Sequence, residues 1–309
     1  MTLPRRLAAG VAAICLSSGS TSAQAEYRNL EGGRPVRVSD ATPTERYALD
    51  LDLTTVRVDK LSLGRYRLQV EPRIAYGILP RTEVSLRAVA FYREPSAVPR
   101  GTVAGFGIGG EYLVKMESLR SPGLAVATEV FLPTGPNASR AAYSGKLLLT
   151  RSFPAGRLHL NGSYGTFSVY VPPPPPGLPP LIPPIIDGPC NLSPVGALMH
   201  PRLSCATPPA MSTSAAAALR PGTNTNNHWL VALGIDKTFP LSSILIVTDV
   251  FVERYEGVGR PTDWTAEVGG RKQLTPRLVA DIGLGRRFRG ISPFWFATFG
   301  TTLSFATGL

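Results

Sequence analysis

From Arg65 to Leu79 the chain reads RYRLQVEPRIAYGIL, and its apolar and polar positions alternate. Tyr66, Leu68, Val70, Pro72, Ile74, Tyr76 and Ile78 fall on one side of a two-residue period. Arg65, Arg67, Gln69, Glu71 and Arg73 fall on the other, followed by the small Ala75 and Gly77. A helix repeats every 3.6 residues and a strand every two, so the pattern predicts a strand with one greasy and one charged face. The same period recurs in twelve segments, near 47–58, 65–79, 82–93, 102–116, 122–133, 143–153, 157–170, 228–239, 242–256, 262–274, 277–289 and 292–305. Helical periodicity is almost absent beyond the first residues. No apolar run there approaches the roughly 20 residues of a membrane-spanning helix.

The connections alternate too. Tight turns at Leu79-Pro80-Arg81, Glu117 to Pro122, Phe153 to Gly156, Phe239-Pro240-Leu241 and Leu274-Thr275-Pro276 are separated by longer loops at 94–101, 134–142, 171–227 and 257–261, and a brief one near 290. Long strands with short turns at one end and longer loops at the other are the pattern of a transmembrane barrel. The predicted fold class is all-β: an antiparallel up-and-down transmembrane barrel of about 12 strands over 47–305, with both termini at the short-turn end. A soluble sandwich alternates as well, but its strands usually run about five or six residues, and it has little use for aromatics at strand ends. Here Trp229, Trp264, Trp295, Tyr66, Tyr76 and Tyr112 are placed for interfacial girdles.

In hydrocarbon only a closed sheet satisfies its backbone, so the apolar face must point out to lipid and the polar face into the lumen. That assignment turns Arg67, Glu71, Arg73, Glu83, Arg87, Glu111, Lys115, Glu129, Asp236, Asp249, Glu253, Glu267, Arg271, Asp281 and Arg287 inward. Charges of both signs on neighbouring strands are expected to pair, leaving a polar and partly filled lumen. Residues 26–46 precede the first strand at the periplasmic side, where they could form a small lumenal plug.

The opening MTLPRRLAAGVAAICLSSGSTSAQA reads as an export signal over 1–25. Arg5 and Arg6 form its basic start, Leu7 to Leu16 its apolar stretch, and Ala23-Gln24-Ala25 its cleavage site. Cys15 follows Ile14 rather than a small residue, which speaks against lipidation. Export implies an oxidising compartment, where Cys190 and Cys205 in the long loop are expected to be joined. That loop, 171–227, contains VPPPPPGLPPLIPPIIDGP, an extended polyproline-like run without ladder donors.

Composition adds mainly exclusions. The 32 Lys+Arg against 21 Asp+Glu give a net charge of +11, but the cations are scattered among acids rather than clustered. A mixed-sign surface therefore outweighs nucleic-acid binding. His159, His200 and His228 lie far apart and no CxxC is present, so neither a metal nor another cofactor is expected. GFGIGG (Gly105 to Gly110) lacks dinucleotide-binding spacing and a following helix, and reads as inner-face glycine beside large charged neighbours. NGSYG (Asn161 to Gly165) misses the first glycine of a nucleophile elbow and lies on a strand. No enzyme activity is expected.

GRPVRVSDATPTERYALDL, EPRIAYGILPRTEVS and ATEVFLPTGP resemble outer-membrane barrel proteins of the phenol-degradation meta-pathway transporter type, over about 30 to 305. Leu132-Pro133-Thr134-Gly135 is the most specific piece. The proline-rich loop and an end on Phe305-Ala-Thr-Gly-Leu depart from that pattern. The resemblance implies a channel for small hydrophobic or aromatic molecules, placed in the outer membrane of a diderm bacterium by the barrel-assembly machinery. Its partners would be outer-membrane lipid and a small solute. The alternative is a non-conducting structural or adhesion barrel that acts through its extracellular loop. Dense opposite-charge pairing in the lumen would favour that alternative, and a continuous unpaired basic stripe an open pore.

Overall fold

The structure, a computed structural model, describes residues 27–30, 34–53, 55–60, 66–93, 101–134, 141–171, 222–256, 261–290 and 294–306. The export signal, Cys190, Cys205 and most of the long loop lie outside these residues. The strands are β1 (Ala48–Asp52), β2 (Val56–Lys60), β3 (Tyr66–Val70), β4 (Arg73–Leu79), β5 (Thr82–Arg93), β6 (Gly101–Lys115) and β7 (Gly123–Pro133). They continue with β8 (Ala142–Phe153), β9 (Gly156–Val171), β10 (Gly222–Phe239), β11 (Ile244–Tyr255), β12 (Asp263–Thr275), β13 (Leu278–Arg289) and β14 (Phe294–Ala306).

Twelve of these strands close a ring. β1 pairs with β4, β4 with β5, and each later strand with the next as far as β14, which returns to β1. All of these pairings are antiparallel. β2 and β3 stand outside that circuit, paired with each other, with β2 also on β14 and β3 also on β5. They prolong the lines of β1 and β4. Asp52 lies opposite Thr302 and Val56 opposite Phe299, so a one-residue bulge divides β1 from β2. No register change divides β3 from β4. The break falls at Pro72, which has no N–H to give the ladder, although its carbonyl still accepts from Ala88 N–H at 3.0 Å.

The predicted segments 47–58 and 65–79 are therefore each split in two by local causes, a bulge and a proline. β10 begins at Gly222, not 228, because Gly222 to Asn227 stay paired with β9, which runs to Val171. The hairpin thus extends beyond the part that the apolar alternation marks. Among the described residues the helical content is one short 3₁₀ turn, Pro240–Ser242.

The usual relation between burial and hydrophobicity is inverted on the outside. Ile74, Leu86, Ile108, Leu147, Leu233, Val250, Val268, Ile282 and Phe299 are all exposed, Ile282 at 57%. Trp264 and Trp295 are exposed on the same outer face near the long-loop ends of their strands. So large an exposed apolar surface is unusual in a water-soluble monomer, and a closed sheet wearing it is suited to hydrocarbon.

Arginine at an outward mid-strand position should therefore cost far more than at a strand end. Leu233→Arg is expected to lower unfolding free energy in lipid vesicles by about 2–4 kcal/mol, and Phe239→Arg by about 0–1 kcal/mol. Urea titration of the two variants measures the difference.

Candidate functional site

Residues 27–30 and 34–46 lie inside the ring, and their contacts pass around its inner wall almost in strand order. Arg34 is clamped by Asp52 of β1 and by Asp281 of β13 at 3.0 Å, and its Nη2 donates to Thr302 of β14 at 3.1 Å. The Pro35 carbonyl accepts from Thr298 of β14 at 2.8 Å. Val38 N–H donates to Asp249 of β11 at 2.8 Å. Asn161 of β9 accepts from Ser39 N–H at 2.6 Å and donates to its carbonyl at 2.9 Å. Ala41 N–H reaches Thr150 of β8 at 2.9 Å. Thr44 N–H donates to Glu83 of β5 at 3.0 Å, and its hydroxyl to Asp50 of β1 at 3.1 Å. The segment leaves the lumen where Tyr47 N–H meets the Gly77 carbonyl of β4 at 2.7 Å.

Two glycines make room for this path. A Cβ on Gly283 would sit 2.1 Å from the Pro35 carbonyl oxygen, and one on Gly77 would sit 1.9 Å from that of Glu45. Backbone lies on the far side of each contact, so no larger residue fits without displacing the segment.

Apolar side chains complete the seat. Tyr27, Leu30, Val36 and Val38 pack against Leu230 and Ala232 of β10, Leu245, Val247 and Phe251 of β11, and Val279 of β13. This is a small hydrophobic core inside the barrel, on the side opposite β4 to β7. Its apolar contact and the polar contacts above hold one segment from several directions.

The charges assigned inward from sequence mostly meet this segment or one another. Glu83, Asp236, Asp249, Glu267, Arg271 and Asp281 are buried. Arg73 pairs with Glu83 and, at 3.4 Å, with Asp52. Arg87 donates to Glu129 at 3.0 Å and lies 3.6 Å from Glu71. Arg67 donates to Asp59 at 2.7 Å. Arg287 lies 3.1 Å from Asp263 and 3.8 Å from Glu253. Arg271 stands opposite Asp281 in the β12–β13 register, and Glu267 opposite Asp249 in the β11–β12 register. Glu111 faces the lumen with a buried Oε1 that has no partner among the described residues. Lys115 is different: a register shift between Leu113 and Lys115 leaves it exposed at the end of β6, beside a short turn.

Several working residues escape a face-by-face reading. Arg157 grips Asp236 with Nη2 at 2.7 Å and reaches Asp40 of the segment at 3.2 Å. His159 bridges Asp236, at 2.9 Å from Nε2, and Thr150, at 3.1 Å from Nδ1. That chain has the partner order of a nucleophile relay, but Thr150 is buried and already accepts the Ala41 N–H, so it anchors the segment. Arg34 lies on no strand and Asp52 meets partners distant in sequence, so alternation does not mark them, whereas Asp59 pairs with the nearby Arg57 and Arg67. The inward apolar residues did leave a signal: ILIVTDVFV in β11 is apolar at both parities, as a strand covered on both faces must be. Within GFGIGG, the inward Gly107 lies under Arg87 and Glu129.

Between the segment and the long-loop end remains a cavity of about 500 Å³. Arg37, Ser39, Asp40 and Thr42 bound it from the segment, and Arg57, Gln69, Arg87, Phe131, Lys146, Ser163, His228, Tyr255 and Arg287 are among its wall residues. Among the described residues the pairing around it is dense, with no continuous basic stripe.

No protein-family model and no curated protein matches this sequence. Solved structures do resemble the fold. An outer-membrane channel from Pseudomonas putida F1 aligns with a TM-score of 0.50 at 8% identity, covering 89% of this chain and 100% of that one. The NanC porin (TM-score 0.48, 8% identity, 81% of this chain and 99% of that one) and the KdgM porin (0.45, 10%, 84% and 99%) are looser likenesses. The likeness is one of fold, a closed antiparallel β-barrel of the kind that channel has.

Removing Arg34 would leave Asp52 and Asp281 buried without their shared cation. For Arg34→Ala the segment is expected to lose about 3–5 kcal/mol of docking free energy. Limited trypsin digestion should then cut within 34–46 while the barrel stays intact. Gly283→Val should release the same segment without touching any charge, by collision with Pro35. Mass spectrometry of the fragments reads both outcomes.

Proposed function

We infer that the chain is a passive outer-membrane channel for small molecules, whose passage is controlled by the segment 34–46 inside its lumen. Dense charge pairing by itself would suit a filled, non-conducting barrel. The observation that favours a channel is that the filling belongs to a separate, terminal stretch of chain held by side chains, above which an open cavity of about 500 Å³ remains. A structural barrel has no need of a cavity, or of a plug distinct from its wall. The apolar outer belt supports residence in the outer membrane of a diderm bacterium, reached through the export signal at 1–25. The cargo would be small and passively moved, as in the meta-pathway transporter family that the sequence resembles. The arrangement calls for no chemistry on that cargo and no cofactor.

A reversible lock tests this. The Cβ of a residue at 234 would lie 2.7 Å from the Val38 side chain, so Val38→Cys with Gly234→Cys places two thiols in bonding range. With Cys190 and Cys205 replaced by serine, the refolded protein is placed in a planar bilayer. Stepwise current that is suppressed under oxidation and returns with reductant is the expected result. Current that ignores the lock would remove the segment from the mechanism. Silence from the folded wild-type and from the reduced variant would defeat the channel reading.

A further inference from the structure

The cavity is lined by six cations, Arg37, Arg57, Arg73, Arg87, Lys146 and Arg287. Four of them are committed to carboxylates: Arg57 to Asp59, Arg73 to Glu83, Arg87 to Glu129 and Arg287 to Asp263. Arg37 and Lys146 are not. Neither side chain makes a hydrogen bond or close ion pair with a described residue, although the Arg37 backbone is hydrogen-bonded to Asp249 and Glu267 and its charge acts on both and on Glu253. Arg37 stands exposed on the segment, and Lys146 is half-buried on the inner face of β8. They lie within electrostatic reach of each other, where like charges repel. Two mutually repelling cations that face one enclosed space, neither with its side chain held by a close ion pair, are eased by an anion that comes between them.

The surroundings narrow the kind of anion. Glu129, the carboxylate acting most strongly on Lys146, is already taken by Arg87. Six carboxylates, Asp40, Glu71, Glu83, Glu111, Glu129 and Glu253, line the same cavity, and Glu111 lies within electrostatic reach of Lys146, so the positive field is tempered. One anionic group suits this balance better than several. Leu148 stands two residues along β8 from Lys146 on the same face, and with Leu230 and Phe251 it gives the cavity an apolar side. A strongly polar space of this size with one apolar side can seat a small molecule that is charged at one end and apolar at the other.

We propose that this cavity is a binding site for a small monocarboxylate with an apolar body, its carboxylate held between Arg37 and Lys146 and its body against Leu148, Leu230 and Phe251. The proposal rests on the channel reading and specifies its cargo. Because Arg37 belongs to the internal segment and Lys146 to the wall, a bound carboxylate bridges the two. Occupancy and the position of the segment are thereby linked.

Calorimetric titration of the full mature chain, refolded in detergent, tests the site with cyclohexanecarboxylate as probe. The isosteric cyclohexanecarboxamide, acetate and cyclohexylmethylammonium are its controls. The acid should bind at least about tenfold more tightly than each control, since a charge-assisted contact is lost from the amide and the apolar body from acetate. Arg37→Gln and Lys146→Gln should each weaken the acid about tenfold or more and leave the amide unchanged. Neither side chain holds the fold together, and heat-dependent gel mobility checks that both variants are folded. Equal binding of acid and amide, unchanged affinity in either variant, or no binding of the acid would each overturn the proposal. Bilayer current from the same preparations separates the two readings. Current together with charge-blind binding removes the anion site alone, whereas silence with carboxylate-selective binding removes the channel and leaves the site.

Discussion

Backbone amides that face hydrocarbon have no water to bond, so every N–H and C=O of the wall must find its partner on the next strand. That requirement makes closure between β1 and β14 the condition for the whole barrel. The join is made in two pieces, with β1 opposite Ser304 and its neighbours and β2 opposite Ala297 and its neighbours. The bulge between them sits beside the interruption at Pro72 on the adjoining strand line. Hydrogen bonds still cross the gap, from Leu53 N–H to Thr301 at 3.1 Å and from Glu71 N–H to Thr55 at 2.9 Å. The seam is irregular, yet backbone hydrogen bonds still bridge it among the described residues.

Closure leaves the inner face with a different problem. Carboxylates such as Asp52, Asp236, Asp249 and Asp281 point into a confined space where unpaired charge is costly. Wall arginines answer some of them, but Asp249 and Asp281 look to the internal segment for a backbone N–H and a guanidinium. The apolar residues of β10 and β11 look to the same segment for cover. Wall and segment are therefore complementary in both polarity and shape, and either alone would present groups poorly matched to water. That mutual dependence ties the seating of the segment to the make-up of the inner wall.

Alternation carried much of this into the sequence. The barrel, the strand spans and the two end types are written in period-two patterning, because lipid and lumen impose opposite polarity at every step. Interruptions to that period were harder to read. The bulge after Asp52 and the displaced Lys115 follow from register, which depends on a partner strand distant in the chain. The segment's route was legible only in outline, since 26–46 has no period of its own. Its hydrogen bonds use backbone groups whose partners, Thr150, Asn161 and Asp249, are scattered over strands. The doubly apolar β11 was a usable clue that something inside the barrel needed an apolar wall. Arg37 and Lys146 could not be singled out, because being unpaired is visible only once every other pair has been made.

Arg34 touches β1 through Asp52, β13 through Asp281 and β14 through Thr302, the first strand of the ring and the last two. Its seat therefore does not exist in a partly built barrel. The N-terminal segment emerges earliest from synthesis, yet it can settle fully only after the final strand has found the first. Docking of Arg34 thus requires a completed ring, and a barrel that stalls one strand short would keep its segment unseated.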